Sequence, residues 1–563
     1  MYYSLYLFRK VTVGHPTPES PHDVATCFVC TSVKKNAPAL SIAKKLSPAE
    51  TYVFEDEKSK QEFAAKVIRE KLVLEASTSR GTRYGTVTLA SGGPPICVEV
   101  KPPNSLPTAQ AKSADFIKFM QECGLSMSQM LRYEKFIRGV FGRGALEPRV
   151  HEKIIESSHE FDDFFDVATM EFELKEKNKD ATLVKRPVVY VQDAKDFIQN
   201  LHGKMSLDME KTFLKVGIDN GQGFLKMCLL IVNKESNVFA NSVKEVEILA
   251  VVPDVQESYK NVKILWDKIN MNELSTLISA DLKMDNIILG IQSHSSSCPC
   301  YICDAKNPRE KGVDWPKGTA RTLGNIRENY DLWSKAGSHP KKAKDFKSCT
   351  NLPMFQDEND DDIPTIQLVP PCELHLLLGP VNHMVDELRS IWPEVDDWVA
   401  GMHAFLRGQD HGKLNGNGCN KLLKEESLIH LENVIPDEHS NFAKAFSALA
   451  KVVHGCYSYK VADTIKEDID NFRKTYLKLQ ITVTPKVHII LDHLYEFLED
   501  TAAANNGVWV GLAMYSEQAF ESVHSDFKKR WQHFKVNFKN ESYGEILKRA
   551  VCCYNSIKPL EQR

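Results

Sequence analysis

Lys215-Val-Gly-Ile-Asp219-Asn-Gly-Gln-Gly223 is the stretch that decides how this chain is read. An apolar run ends on an acid, a glycine-rich turn follows, and a second apolar run over residues 224–232 leads away. That pattern predicts a β-hairpin with a carboxylate at its rim. Two further acidic positions, Asp281 and either Glu521 or Glu517, are candidates to join Asp219. Three carboxylates gathered from distant stretches form the donor set of a divalent-metal site for phosphoryl transfer.

Outward from the hairpin, residues 213–218, 224–232 and 246–252 read as strands, 258–269 as a helix, and 274–281 as another strand. Strands, a helix and a further strand describe an α/β core over residues 206–305. Asp219 and Asp281 each end a strand-like run, where neighbouring strands can bring two carboxylates to one cation. Upstream, residues 111–205 read as mainly helical. Apolar positions recur at three- and four-residue intervals over 114–123, 126–141 and 150–165. Arg132, Lys135, Arg138 and Arg143 there suit DNA binding or dimerisation, and equally a solvated basic face. Downstream, residues 306–480 read as a helical insertion. It contains the acidic run Asp357-Glu-Asn-Asp-Asp-Asp362, whose composition is that of a solvated loop.

The last segment, 481–563, carries Pro485-Lys-Val-His488-Ile-Ile-Leu-Asp-His493 and then one expected helix over 514–534. Phe520, Val523, Phe527 and Trp531 fall on its inner face, and Glu517 and Glu521, four apart, share another. Its end, Lys528-Lys-Arg-Trp531, combines cations with an aromatic, as nucleic-acid backbones favour. Cys298-Pro-Cys300-Tyr-Ile-Cys303 is a cysteine cluster that needs a second half to hold zinc, and His488 with His493 could supply it. Residues 1–110 are the least readable. Cys27-Phe-Val-Cys30, with His15 and His22 upstream, is either a small zinc site or two ordinary thiols.

Composition bounds the reading. The chain has 563 residues, 42% hydrophobic and 26% charged, ordinary for a folded protein of two to four domains. A formal net charge of −4 excludes a protein basic throughout, so any nucleic-acid contact must come from local Lys/Arg patches. Fourteen cysteines are too sparse for a disulfide scaffold. The opening Met1-Tyr-Tyr-Ser-Leu-Tyr-Leu-Phe8 lacks a charged leader and a small-residue cleavage site. No run reaches the ~20 apolar residues of a membrane span. An intracellular protein with no membrane partner is expected.

In order, these pieces resemble the catalytic core of the RAG-like and Transib group of DDE recombinases, the group of the catalytic subunit of the V(D)J recombinase. The resemblance runs from about residue 206 to 545. Asp219 looks like the first catalytic aspartate, and Asp281, in Ala280-Asp-Leu-Lys283, like the second. The second precedes Cys300-Tyr-Ile-Cys303-Asp304 by the short distance the family shows. His488 and His493 have the family's zinc-histidine spacing. Ser516-Glu517-Gln-Ala-Phe-Glu521-Ser522 resembles its glutamate helix, and Cys372-Glu-Leu-His375-Leu-Leu-Leu-Gly379 resembles a histidine-containing segment of its insertion. The family's two glutamates are three apart and these are four apart. Alignment from upstream favours Glu517 as catalytic, and alignment from downstream favours Glu521.

The resemblance implies an RNase H-like α/β fold interrupted by a helical insertion. It implies Asp219, Asp281 and Glu521 holding Mg²⁺ or Mn²⁺, and Cys300, Cys303, His488 and His493 holding structural Zn²⁺. It further implies strand nicking and transfer on double-stranded DNA, a homodimer, an accessory recombinase subunit and a nuclear setting. A domesticated relative that binds DNA or protein without cutting is the alternative. A zinc-containing interaction protein unrelated to nucleic acid is the third class.

Overall fold

The computed structural model describes residues 127–556 with short interruptions, and before them two strands and the positions Lys112 and Phe116. The chain divides into two compact units, Met1–Ser157 and Ser158–Arg563. Cys27, Cys30, His15 and His22 lie outside the described residues, as does most of the acidic run at 357–362.

In the first unit, β1 (Arg83–Val87) and β2 (Ile96–Val100) pair antiparallel. The helix Met127–Phe141 places Met130 in a small core with Phe116, Leu146 and Val150. Arg138, read above as a candidate DNA contact, is engaged within the unit. It pairs with buried Glu134 and donates to the Glu147 carbonyl at 2.8 Å.

The second unit is built on a six-stranded mixed sheet in the order β3 (Phe165–Leu174), β4 (Thr182–Val191), β7 (Glu247–Pro253), β6 (Phe224–Asn233), β5 (Thr212–Gly221), β8 (Thr276–Ile278), with helices packed on it. Its centre is the predicted hairpin. β5 (Thr212–Gly221) and β6 (Phe224–Asn233) pair over ten rungs, and Asp219 stands opposite Lys226. Gln222 and Gly223 make the two-residue turn with φ of 58° and 83°. Left-handed backbone at both positions is the geometry that matches strand twist, and glycine adopts it without Cβ strain. β7 (Glu247–Pro253) flanks β6 antiparallel, and every residue of β7 is buried. β8 (Thr276–Ile278) lies parallel to β5, reached through the crossover helix Tyr259–Lys268, which Ser258 caps. Strands this apolar read as continuous runs because helices cover both faces.

One expectation fails upstream. Residues 165–191, read above as part of a mainly helical region, form the long antiparallel hairpin β3 (Phe165–Leu174) and β4 (Thr182–Val191). It joins the sheet through Val189 and Tyr190 on β7. Pro187 is tolerated because it sits where β4 has β3 alone as neighbour, so its missing N–H breaks no second ladder.

The insertion is helical as expected, with Glu373–Ile391 and Ser440–Cys456 its longest helices, and its core is continuous with that of the sheet. The helix Gln518–Phe534 lies over the central hairpin, where Phe224 meets Phe527 and Trp531 edge-on. This helix does not run from 514. A short 3-10 turn, Leu512–Tyr515, precedes it, and Ser516 and Glu517 form the joint. The closing helix Tyr543–Ser556 covers β3, β4 and β7. Its Asn555 side chain bonds both backbone groups of Ile248, beside the irregularity between Met227 and Cys228. Among the described residues no helix is long and apolar enough to cross a membrane.

Candidate metal centres

Asp219 sits three residues beyond Val216, the last rung of β5 paired to β8, and Asp281 three beyond Val216's partner Ile278. The parallel register therefore carries both acids toward the same end of the sheet. Asp281 then turns into the N-cap of the short helix Leu282–Ile288, where its side chain accepts from the Met284 amide at 2.7 Å. Capping of this kind satisfies one of the amides a helix start leaves unpaired.

Two glycines of β5 let the helix Gln518–Phe534 come down on the strand. A Cβ on Gly217 would fall 2.3 Å from the ring of Phe520, and one on Gly221 would fall 2.4 Å from the ring of His524. The close approach brings Asp219, Glu521 and His524 together, with one ligand atom from each lying within 4.8 Å of the others. His524 Nε2 bonds Asp219 Oδ2 directly, and the imidazole is 8% exposed. Burial would raise the Asp219 carboxyl, but the His524 contact, together with the Asn220 amide and Glu257, lowers it below its ordinary value. Glu521 moves the other way, raised first by burial and then by the Asp219 charge. Two carboxylates and an imidazole so placed could hold a divalent cation.

Glu517 is not part of that group. Its Oε1 accepts from the His375 backbone amide at 3.1 Å and lies 2.6 Å from His375 Nδ1, while its Oε2 is buried with no hydrogen-bond partner. Burial works against a charged His375, yet the Glu517 carboxylate prevails and raises its pKa above the ordinary imidazole value. Glu257 is a further acid at the rim. It accepts from the Asn220 amide at 3.0 Å, pairs with Lys283, and is raised by burial and by the charges of Asp219 and Asp281.

Beneath the site two lysines are buried in the sheet. Lys215 donates to the carbonyls of Ser516 at 2.7 Å and Met514 at 3.3 Å, fixing the joint before the helix. Lys226 donates to the carbonyls of Gly221 and Phe224 across the hairpin turn. Burial brings both ammonium groups down to about 8, and nearby acids oppose it. Glu373 beside them is pushed up to about 8 by burial and by the Glu517 charge, and accepts from Gln518 Nε2 at 2.9 Å.

The cysteine and histidine pairs form a second, separate centre. Cys300, Cys303, His488 and His493 are all buried, and one ligand atom of each lies within 4.8 Å of the rest. Cys303 Sγ and His488 Nε2 are 3.2 Å apart, as are the two Nε2 atoms. In an ordinary α-helix residues five apart point about 140° from one another. Here Ile489–His493 is a π turn, closed by the Leu494 amide on the Ile489 carbonyl. An i→i+5 bond stacks positions five apart, so both imidazoles face the cysteines. His488 stacks on Trp315 at 4.1 Å, and Asp492 Oδ2 lies 2.6 Å from its Nδ1. Arg473 holds Asp492 from behind at 2.5 Å. A carboxylate behind an imidazole is the usual outer support of a metal-bound histidine. Fully buried Arg321 braces the cysteine loop, donating through Nε to the carbonyls of Cys300 and Cys303, both at 2.9 Å, and through Nη2 to those of Cys298 and Lys347. The cluster could hold a metal ion, and its donors are of the kind zinc prefers.

Of the predicted acids, then, Asp219 and Glu521 meet, Glu517 lies beside them on another partner, and Asp281 is engaged in a helix cap outside the ligand group. All four predicted cysteine and histidine ligands come together. The sequence reading missed Glu257 and His524. For His524 a signal existed: Glu521-Ser-Val-His524 has the i, i+3 spacing that puts an acid and an imidazole on one helical face. Glu257 carried none, because a loop residue gains its place from the tertiary fold.

A family described as a domain of unknown function (DUF8703) matches residues 174–329. The match takes in five of the six strands of the sheet, β4 to β8, with Asp219, Asp281, Cys300 and Cys303, and ends before Glu521, His488 and His493. No curated protein matches the chain.

Proposed function

We propose that the chain is a divalent-metal-dependent DNA nuclease of the DDE transposase or recombinase type, with an RNase H-like core. The observation that carries the reading is the meeting of Asp219, on the central strand, with Glu521, on a helix from the far end of the chain. Asp281 leaves the adjacent parallel strand at the same end of the sheet, which supports it as the third acid. The donor set fits a cation, since the ligand atoms are close enough to share one.

Bound there, Mg²⁺ or Mn²⁺ would lower the pKa of an attacking water and stabilise the leaving oxygen. The chain's own residues supply the rest. Asp219 and Glu521 would hold the cation, beside His524, whose Nε2 bonds Asp219 Oδ2. Lys528, exposed on the same helix and bonded to Gln222 at the hairpin turn, sets a positive charge beside the site for a phosphate. After nicking, the freed 3′-hydroxyl would attack a phosphodiester of a second strand, forming a new phosphodiester and displacing the 3′-oxygen of that strand. Zn²⁺ in the Cys300, Cys303, His488, His493 cluster would be structural, because four protein donors leave no open position. The substrate would be double-stranded DNA in the nucleus, handled by a homodimer with or without an accessory subunit.

A second reading, a relative that binds DNA without cutting it, is favoured by one observation: the Asp281 side chain caps its own helix and lies outside the ligand group. Nicking of supercoiled DNA with Mg²⁺ or Mn²⁺ decides between them. Activity in the wild type that vanishes in Asp219→Ala, at equal zinc content, establishes the nuclease. A folded, zinc-loaded protein that binds DNA but never nicks it establishes the second reading.

A further inference from the structure

We infer that His524 is itself a ligand of the cation, so that the site is a mixed nitrogen and oxygen centre selecting Mn²⁺-class ions over Mg²⁺. The inference rests on the proposed reading only in requiring that Asp219 and Glu521 hold a divalent cation.

Three observations carry it. First, His524 Nε2 points at Asp219 Oδ2 and lies within the same 4.8 Å ligand group as Glu521. An imidazole kept only for packing has no need to set a ring nitrogen against one carboxylate and within 4.8 Å of a second. Second, the ring has a place cut for it. It lies against Gly221, where any Cβ would fall 2.4 Å from its Cγ and Nδ1. The missing side chain sits at the end of the strand that carries Asp219. Third, Glu521 and His524 form a Glu-x-x-His pair on one helical face, a spacing that helical proteins use to offer a carboxylate and an imidazole to one transition metal.

The chemistry then sets the preference. Mg²⁺ is hard, demands near-octahedral oxygen coordination and gives up water reluctantly. Imidazole suits first-row transition metals, whose affinity for a nitrogen and oxygen site rises from Mn²⁺ onward. The all-carboxylate alternative would need Asp281, whose Oδ1 accepts from the Met284 amide and which lies outside the ligand group.

The test is pulsed EPR of Mn²⁺ added to the full-length, zinc-loaded protein, where, among the described residues, the filled cysteine and histidine cluster leaves the carboxylate centre to Mn²⁺. The expected spectrum shows the ¹⁴N coupling of a directly bound imidazole. In His524→Gln the coupling disappears and Mn²⁺ affinity falls at least about tenfold, as loss of a ligand should cost no less than loss of an outer-shell partner. Mn²⁺ binding that is lost in Asp219→Ala but shows no nitrogen coupling overturns the inference and leaves the nuclease reading standing. Mn²⁺ binding indifferent to both Asp219→Ala and Glu521→Gln, or no binding, overturns the reading as well. Should His524→Gln fail to fold, the wild-type spectrum decides alone, since nitrogen coupling supports the inference and its absence overturns it.

Discussion

His375 Nδ1 lies 2.6 Å from Glu517 Oε1, and the backbone amide of His375 bonds the same oxygen. The insertion helix that begins at Glu373 thus takes hold of the acid that the upstream alignment would have made catalytic. Glu521, one turn on, is left to face Asp219.

The two glutamates should therefore fail differently. Glu521→Gln removes nicking while the melting temperature stays within a few degrees of wild type. Glu517→Ala removes a buried carboxylate and strips the partly buried His375 of its partner, and should cost about 3 kcal/mol of stability. Paired thermal melts and nicking assays check this. A stable Glu517→Ala protein with no activity would reverse the assignment.

Glu373 makes stability depend on pH. Its carboxyl is pushed up to about 8 in the folded chain, against 4.5 as its ordinary value. Between those values the folded state holds a proton that the unfolded state has released, so stability falls as pH rises from about 4.5 to about 8. Glu373→Gln mimics the protonated acid and should flatten this part of a melting-temperature profile. An unchanged slope would show that Glu373 folds ionised.

Removing metal from the cysteine and histidine cluster should be felt throughout the second unit. A chelator, or Cys303→Ser, is expected to cost more than about 4 kcal/mol, the range of lost metals and broken buried networks. Zinc content by elemental analysis should fall from one equivalent to none in parallel. A metal-free protein that melts like wild type would make the cluster an ordinary core.

Gly221→Ala tests the close approach of helix and strand. The added Cβ meets the His524 ring, and rigid strand and helix backbones leave the ring to move. Divalent-cation binding should weaken at least about tenfold, with a smaller effect on melting. Gly217→Ala, which meets Phe520 instead, should chiefly lower stability.

What the sequence disclosed was local. Gly221 to Gly223 announces a tight turn, so the central hairpin and Asp219 at its rim could be read directly. The Cys300, Cys303, His488 and His493 spacings announced a metal cluster in the same way. What stayed hidden depended on partners distant in sequence. Residues 165–191 carry charges and Pro187, which argue against a strand until β4 is seen to have one neighbour over most of its length. The joint at Ser516 and Glu517 is held by Lys215, some three hundred residues away, and no periodicity within 514–534 reports that contact. Asp281 looked like a free acid because helix capping depends on the turn that follows it.

The Cys303–His488 contact spans 185 positions. A metal fastening those two residues would turn the intervening chain, insertion helices included, into a closed ring anchored at its neck. Closure entropy grows only with the logarithm of a flexible ring's length, about 0.6 kcal/mol for each doubling. Loops within the ring could therefore lengthen at little entropic cost while the neck kept its geometry.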